Sequence, residues 1–214
     1  MRLDHVSYVA SHDQISDVVN RIGSQIGTAF IDGGIHPKFG TRNFTAPLLN
    51  GQYIEVVCPM DHPATDATPF GRAVRKKAEE GGGWMTWVIS TSNIQKIEDK
   101  LSRSAVIATR KLPNGSELEW KQIGVLSTLE DPGVPFFIEW ISQAHPSQTS
   151  IAVASIKSIL IIGNQTKVEK QLGIDYKSLL GSIEIKWVDE SANHSSLGIE
   201  EIEFEFNSHD IKIN

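Results

Sequence analysis

The chain has 214 residues, enough for one large domain or two small ones sharing a core. Its 40% hydrophobic and 21% charged residues are ordinary globular composition and exclude wholesale disorder. A net charge of −6, from 26 acidic and 20 basic side chains, argues against a nucleic-acid binder, which would carry a basic face.

The one basic run, RAVRKKAEE, is answered at once by two glutamates and reads as a solvated helix face. Cys58 is the only cysteine, so an intrachain disulfide and a cysteine-based zinc site are both excluded. Within YIEVVCP it reads as a small buried hydrophobe. Asp4 and His5 interrupt the stretch that a signal peptide would need to keep apolar. The longest apolar run, SILIIG, is far too short to cross a bilayer. A soluble, cytoplasmic protein is expected, with no nucleic-acid or membrane partner.

In chain order, LDHVSYVA is a predicted strand, and HDQISDVVNRIGSQIG carries Ile15, Val18, Val19, Ile22 and Ile26 at helical spacing. Gly23 and Gly27 mark where that helix ends. GTAFIDGG, TRNFTAPLL and GQYIEVVCP follow as strands, with Asn50-Gly51 a hairpin signal between the last two. The first unit is therefore βαβββ. After a helical connection, PFGRAVRKKAEEGGG, the order recurs. WMTWVIST is a strand and NIQKIEDKLSRS a helix; AVIATRKLP and SELEWKQIGVL flank the turn PNGS, and PFFIEWIS closes the unit. The repeat is one of architecture more than of identity.

The tail holds a weaker third copy: SIKSILIIGN, the short helix TKVEKQLG, SIEIKWVD and LGIEEIEFEFNS. In the last, Glu201, Glu203 and Glu205 alternate with apolar residues and read as a solvated sheet face. HPSQTS, residues 145–150, is the expected boundary. The division is thus 1–147, with modules 1–60 and 84–143, followed by a C-terminal segment 148–214.

His5 raises the functional question, because it stands in an apolar strand. Residues two apart share a strand face, which groups His5 with Leu3, Ser7 and Val9. Glu55 and Glu139 likewise interrupt apolar strands, and a carboxylate buried alone costs several kcal/mol unless it finds a proton, cation or partner. YIEVV and FIEWI align without a gap, so each unit ends in the same pattern with a glutamate at its centre. Packed as pseudo-symmetric halves, the two units would aim both carboxylates into one cleft beside the His5 nitrogen.

LDHV in the first strand, a YIEVV-type strand and a repeat ending in FIEW together resemble the vicinal-oxygen-chelate superfamily, which includes glyoxalase I, extradiol dioxygenases and bleomycin-resistance proteins. Within it, GGIHPKFGTRNFTAPLLNGQYIEVVCP, LPNGSELEWKQIGV and PFFIEWISQAHP resemble the glyoxalase-like domain family, over roughly residues 3–147. The resemblance implies an α+β fold of paired βαβββ modules forming a cupped mixed sheet. It also implies a divalent cation (Zn, Mn, Fe or Ni) held by His5, Glu55 and Glu139, chelating a small oxygenated metabolite for lyase, isomerase or dioxygenase chemistry. The fourth ligand position is a departure: Thr86, or Trp84 or Trp87 in neighbouring registers, is no good metal ligand. A metal-free binding or resistance protein with an aromatic cleft is the alternative. A partner-binding scaffold, pairing the tail's strand edge with another copy as a homodimer, is a third reading.

Among other candidates, His36 follows Gly33-Gly34 and is either a solvated loop histidine or a general base. The resemblance puts a role as general base or metal-proximal residue on a par with the solvated one, and Glu55 or Glu139 is the expected proton shuttle. Asn43 and Thr41 offer amide and hydroxyl contacts to substrate or cap a turn. Trp87 and Trp120 are core residues or pocket walls. His145 is assigned to the linker, and His12, His62, His194 and His209 receive no role. Neither a Walker or Rossmann phosphate loop nor a nucleophile elbow is present in the sequence.

Overall fold

The computed structural model describes residues 1–173, 180–189 and 197–214; His194 lies outside them. The first module runs β1 (Arg2–Val9), α1 (Ile15–Ile26), β2 (Ile31–His36), β3 (Thr41–Leu48) and β4 (Gln52–Pro59). α1 buries Ile15, Ile22 and Ile26 on one face and stops at Gly27, whose left-handed backbone (φ 66°) lets its N–H reach the Gly23 carbonyl. Asn50 and Gly51 both take positive φ (63° and 69°), the turn expected between β3 and β4.

Two helices, α2 (Pro63–Ala67) and α3 (Pro69–Glu79), lead to the second module. It consists of β5 (Gly83–Ser90), α4 (Gln95–Leu101), β6 (Val106–Lys111), β7 (Glu117–Ile123), α5 (Val125–Glu130) and β8 (Phe136–Trp140). α5 falls where a continuation of the strand was expected; Gly124, at φ 95°, turns the chain out of β7 and starts the helix. The tail forms β9 (Ala154–Ile162), α6 (Gln165–Leu172), β10 (Glu184–Val188), β11 (Gly198–Phe206) and β12 (His209–Ile213).

The fold is α+β, and its cupped mixed sheet closes into an eight-stranded barrel in the order β1-β4-β3-β2-β6-β7-β8-β5. In each module the first and last strands pair in parallel, β1 with β4 and β5 with β8. The modules join along β1 and β5 over most of both strands. On the far side β2 and β6 meet through one residue pair, Ile35 with Lys111. There Gly34, at φ 97°, lies so close to β6 that a Cβ would stand 1.8 Å from the Lys111 carbonyl oxygen.

The tail makes a separate sheet, β10-β9-β11-β12. Its chain order is again βαβββ, but β9 pairs in parallel with the second strand of the set, β10, and antiparallel with β11. This sheet and α1 cover the outer wall of the barrel. Val6, Ile54, Trp87 and Ile89 from the wall share one core with Ile159, Ile202 and Phe204. Trp84 Nε1 donates to the Ile213 carbonyl at 2.7 Å, tying β5 to the last strand. A wall covered outside and filled inside explains why these strands read as apolar on both faces. Cys58 belongs to this core, and burial pushes its thiol up to about 11, so it is inert at neutral pH. Glu203 departs from the solvated face expected for the tail glutamates. It is buried, accepting from Ser158 Oγ at 2.9 Å and Lys186 Nζ at 3.3 Å. Among the described residues, no helix is long and apolar enough to cross a membrane.

Candidate active site

The barrel interior holds a cavity of about 40 Å³ that opens to solvent at one side. His5 and Glu55 reach it from β1 and β4, His36 from the end of β2, and Arg110 from β6. Trp120, Phe136 and Trp140 make its aromatic wall.

A bulge decides how β1 contributes. Leu3 pairs with Ile89 and His5 with Val88, so Asp4 is an extra residue on β1. The strict alternation expected from sequence put Leu3 and His5 on one face. Instead Leu3 turns to the outer core while both Asp4 and His5 serve the site. Asp4 is fully buried and accepts hydrogen bonds from His5 Nδ1 (3.0 Å), His145 Nε2 (3.2 Å) and Trp140 Nε1 (3.3 Å). Burial alone would raise its pKa, but the bonds from His145 and His5 outweigh that and hold the carboxyl well below the usual range. An ionised Asp4 requires a proton on His5 Nδ1, so in the neutral imidazole the lone pair lies on the opposite nitrogen, Nε2. The imidazole is stacked on Tyr53 with ring centroids 4.4 Å apart.

Glu55 is buried on β4 and accepts from Asn43 Nδ2 at 2.6 Å and Ser7 Oγ at 2.7 Å, one bond to each oxygen. Burial opposes its charge, but His36, His5 and these two donors together depress its pKa. His36 Nδ1 is 3.0 Å from Thr41 Oγ1, and Nε2 lies 3.9 Å from Glu55 Oε1. Burial, against the pull of Glu55 and with help from Arg110 and His5, lowers His36 to about 4. His36 is therefore neutral at pH 7.

The sequence-derived candidates separate into two groups. His5, Glu55, His36 and Trp120 line the cavity; Asn43 and Thr41 stand behind it, holding Glu55 and His36. Glu139 and Trp87 are not brought there. Trp87 is in the core outside the barrel, its Nε1 donating to the Gly133 carbonyl at 3.2 Å. Glu139 sits on the outer face of β8, 3.9 Å from Lys121 Nζ, while its neighbours Ile138 and Trp140 face the cavity. The reason is register. His5 pairs with Tyr53 and Ser7 with Glu55; in the second module Val88 pairs with Phe136 and Ser90 with Ile138. The structural equivalent of Glu55 is thus Ile138, one residue before Glu139, and a one-residue offset puts a side chain on the other face. By the same pairing Val88, not Thr86, occupies the position equivalent to His5.

Sequence reasoning missed Asp4, Arg110, Trp140 and His145. His145, assigned to the linker, packs its ring 5.0 Å from Trp140 and bonds to Asp4. Its signal was weak: histidine before a proline in a polar stretch looks like any loop. Arg110 was legible as a charge two residues from Ala108 on one strand face, but it resembled a strand end.

A divalent cation fits these residues poorly. Among the described residues no group of three or more His, Cys, Asp or Glu side chains is gathered to hold one. Each Glu55 oxygen already accepts a short hydrogen bond, the equivalents of His5 and Glu55 in the second module are Val88 and Ile138, and the permanently positive Arg110 shares the space.

The chain matches the glyoxalase-like domain family over residues 3–173. No curated protein matches the sequence. Among solved structures, a hypothetical protein from Staphylococcus aureus superposes with TM-score 0.59 at 17% identity, covering 99% of this chain and 84% of that one. Methylmalonyl-CoA epimerase from Mycobacterium tuberculosis gives TM-score 0.43 at 12% identity, covering 64% of this chain and 85% of that one. A Streptomyces coelicolor methylmalonyl-CoA epimerase variant in complex with 2-nitronate-propionyl-CoA gives 0.45 at 15%, covering 69% and 98%. With the family match spanning both barrel modules and β9, the chain belongs to the glyoxalase-like domain family.

Proposed function

We propose that the protein is an enzyme of the isomerase or lyase class that moves a proton on a small oxygenated metabolite, with His5 as the proton acceptor. The observation that carries this reading is the Asp4–His5 pair opening on an aromatic-walled cavity. An imidazole that takes a proton becomes a cation, and a buried ionised carboxylate bonded to its other nitrogen stabilises that cation. Glu55 and His36 suit the acceptor role less well. Glu55 is held ionised by its partners, which weakens it as a base, and burial opposes the charging of His36. They serve instead to orient substrate oxygens, His36 through Nε2 and Glu55 through its remaining lone pairs. Glu139, on the outer face, is given no part in the chemistry.

The expected divalent cation would supply Lewis acidity at a substrate oxygen; His5, His36 and Glu55 are the side chains that would have to hold it. Because this donor set suits it poorly, no step is assigned to it, and proton transfer is favoured over dioxygenase chemistry. A second reading, a small-molecule binding or resistance protein, is supported by the flat walls of Trp120 and Trp140, 5.5 Å apart. The discriminating experiment incubates the protein with a pool of small oxygenated metabolites in D2O and reads deuterium incorporation by mass spectrometry. Incorporation that survives chelator and disappears in His5→Gln supports the proposal. Retention of a ligand without incorporation favours the binding reading. Incorporation lost on chelation and restored by Zn, Mn, Fe or Ni would establish the metal-dependent one.

A further inference from the structure

Arg110 is 3% exposed and lines the cavity, and its side chain has no ion pair or hydrogen bond among the described residues; its Nε is buried without a partner. A guanidinium stays charged at any accessible pH, so the fold carries a buried cation that no carboxylate among the described residues contacts directly. The room for it is built in. A Cβ on Gly33 would stand 2.3 Å from Asn43 Oδ1 and 3.2 Å from Arg110 Nη1, so the bare position leaves space for both side chains. The acid that might have neutralised it, Glu55, is instead bonded to Ser7 and Asn43. Buried arginines without a carboxylate partner are unfavourable for stability alone, and a planar fork of donors aimed into a cavity matches a planar anion.

We infer that Arg110 is the seat for the carboxylate of a small monoanionic ligand, whose apolar remainder lies against Trp120, Phe136 and Trp140. This deepens the reading of the same cavity as a ligand site. Both a carboxylate and a phosphate meet the negative charge of Glu55 in the same cavity, but the repulsion scales with ligand charge and is smaller for a monoanion than for a dianion. A carboxylate on Arg110 also gives the proposed chemistry a handle. It orients the neighbouring carbon towards His5 and its unprotonated Nε2.

The test reads binding by quenching of tryptophan fluorescence, using benzoate, its neutral isostere benzamide, and inorganic phosphate. Wild-type protein is expected to bind benzoate at least about ten-fold more tightly than benzamide, as a charge-assisted pair requires, and more tightly than phosphate. Arg110→Met keeps the unbranched apolar stem but removes the guanidinium and its charge. It should bind both aromatic probes within about two-fold of each other while its ligand-free melting temperature holds or rises, because an unpaired buried charge has gone. Arg110→Lys, which keeps the charge but not the fork, should retain part of the preference. Wild-type protein that binds benzoate ahead of benzamide but incorporates no deuterium would sink the proton-transfer reading and leave this one standing. Equal or absent binding of benzoate and benzamide to wild type overturns the inference. So does tighter binding of phosphate, a preference that persists in Arg110→Met, or a fall in that variant's ligand-free melting temperature.

Discussion

His36 offers the most direct physical test of the site, because its environment ties the fold's stability to pH. In the unfolded chain it ionises near 6.5, and in the folded barrel burial lowers it to about 4. Between those values the unfolded chain holds a proton that the folded chain refuses, so stability rises with pH across that window. The contribution is complete above about 6.5 and lost once the pH falls through about 4. Its full size is about 3 kcal/mol, from the interval between the two values at about 1.4 kcal/mol each. The perturbation is His36→Asn, whose side-chain amide can keep the bond to Thr41 Oγ1 but cannot titrate. Urea unfolding followed by tryptophan fluorescence, from pH 7 down to pH 4, gives the stability of both proteins. The variant starts lower, having lost ring packing against Trp120. The wild type should then lose about 3 kcal/mol more than the variant over the range. Asp4, whose carboxyl the fold holds ionised, also loses stabilisation as pH falls below its unfolded value, but it does so in both proteins and cancels in the difference; Glu55, coupled to His36, contributes to the difference only near the acid end of the range. Parallel stability curves would refute the reasoning, since they would mean that His36 titrates in the fold as it does in the unfolded chain.

Asp4→Asn replaces an acceptor of charge-assisted bonds from His5 and His145 and should cost about 3 kcal/mol, lowering the melting temperature by roughly 6–12 °C. Nitrogen NMR of the imidazole should show the His5 proton leaving Nδ1; an unchanged tautomer would contradict the assigned role. Glu139→Gln should change stability by less than about 0.5 kcal/mol and leave ligand binding at wild-type affinity, because only Lys121 at 3.9 Å senses the charge. A loss of binding there would mean that the outer-face placement is wrong. Gly34→Ala should destabilise by about 2–4 kcal/mol through a strained backbone and collision with the Lys111 carbonyl, and hydrogen exchange should be fastest along the β2–β6 seam.

Much of this molecule was readable from residue order. The helical spacing of Ile15, Ile22 and Ile26, the Asn50-Gly51 turn and the recurrence of βαβββ all depend on local periodicity and local backbone preference. The last strand was missed because the Asn207-Ser208 turn that starts it, with φ of 52° and 60°, lacks a glycine to announce it. His5 and Glu55 stood out because a polar residue inside an apolar strand must be compensated. His36 and Trp120 were flagged as candidates and line the cavity, whereas Trp87, equally large and equally apolar in context, faces the core outside the barrel.

The amino-acid order by itself determined which segments become strands and helices, that they form two like halves, and that two polar residues within them demand partners. Those properties follow from interactions along a few neighbouring residues. Which face each side chain finally presents was decided by pairing between distant strands. The extra residue at Asp4 in β1 brought an aspartate into contact with His5, and the offset between β4 and β8 turned Glu139 out and Ile138 in. A strand's side chains alternate with a period of two, so one bulge or a one-residue register difference reverses the outcome at every position beyond it. Arg110 depended even more on the assembled barrel. Its lack of a partner is a property of everything packed around it, and no single segment carries it.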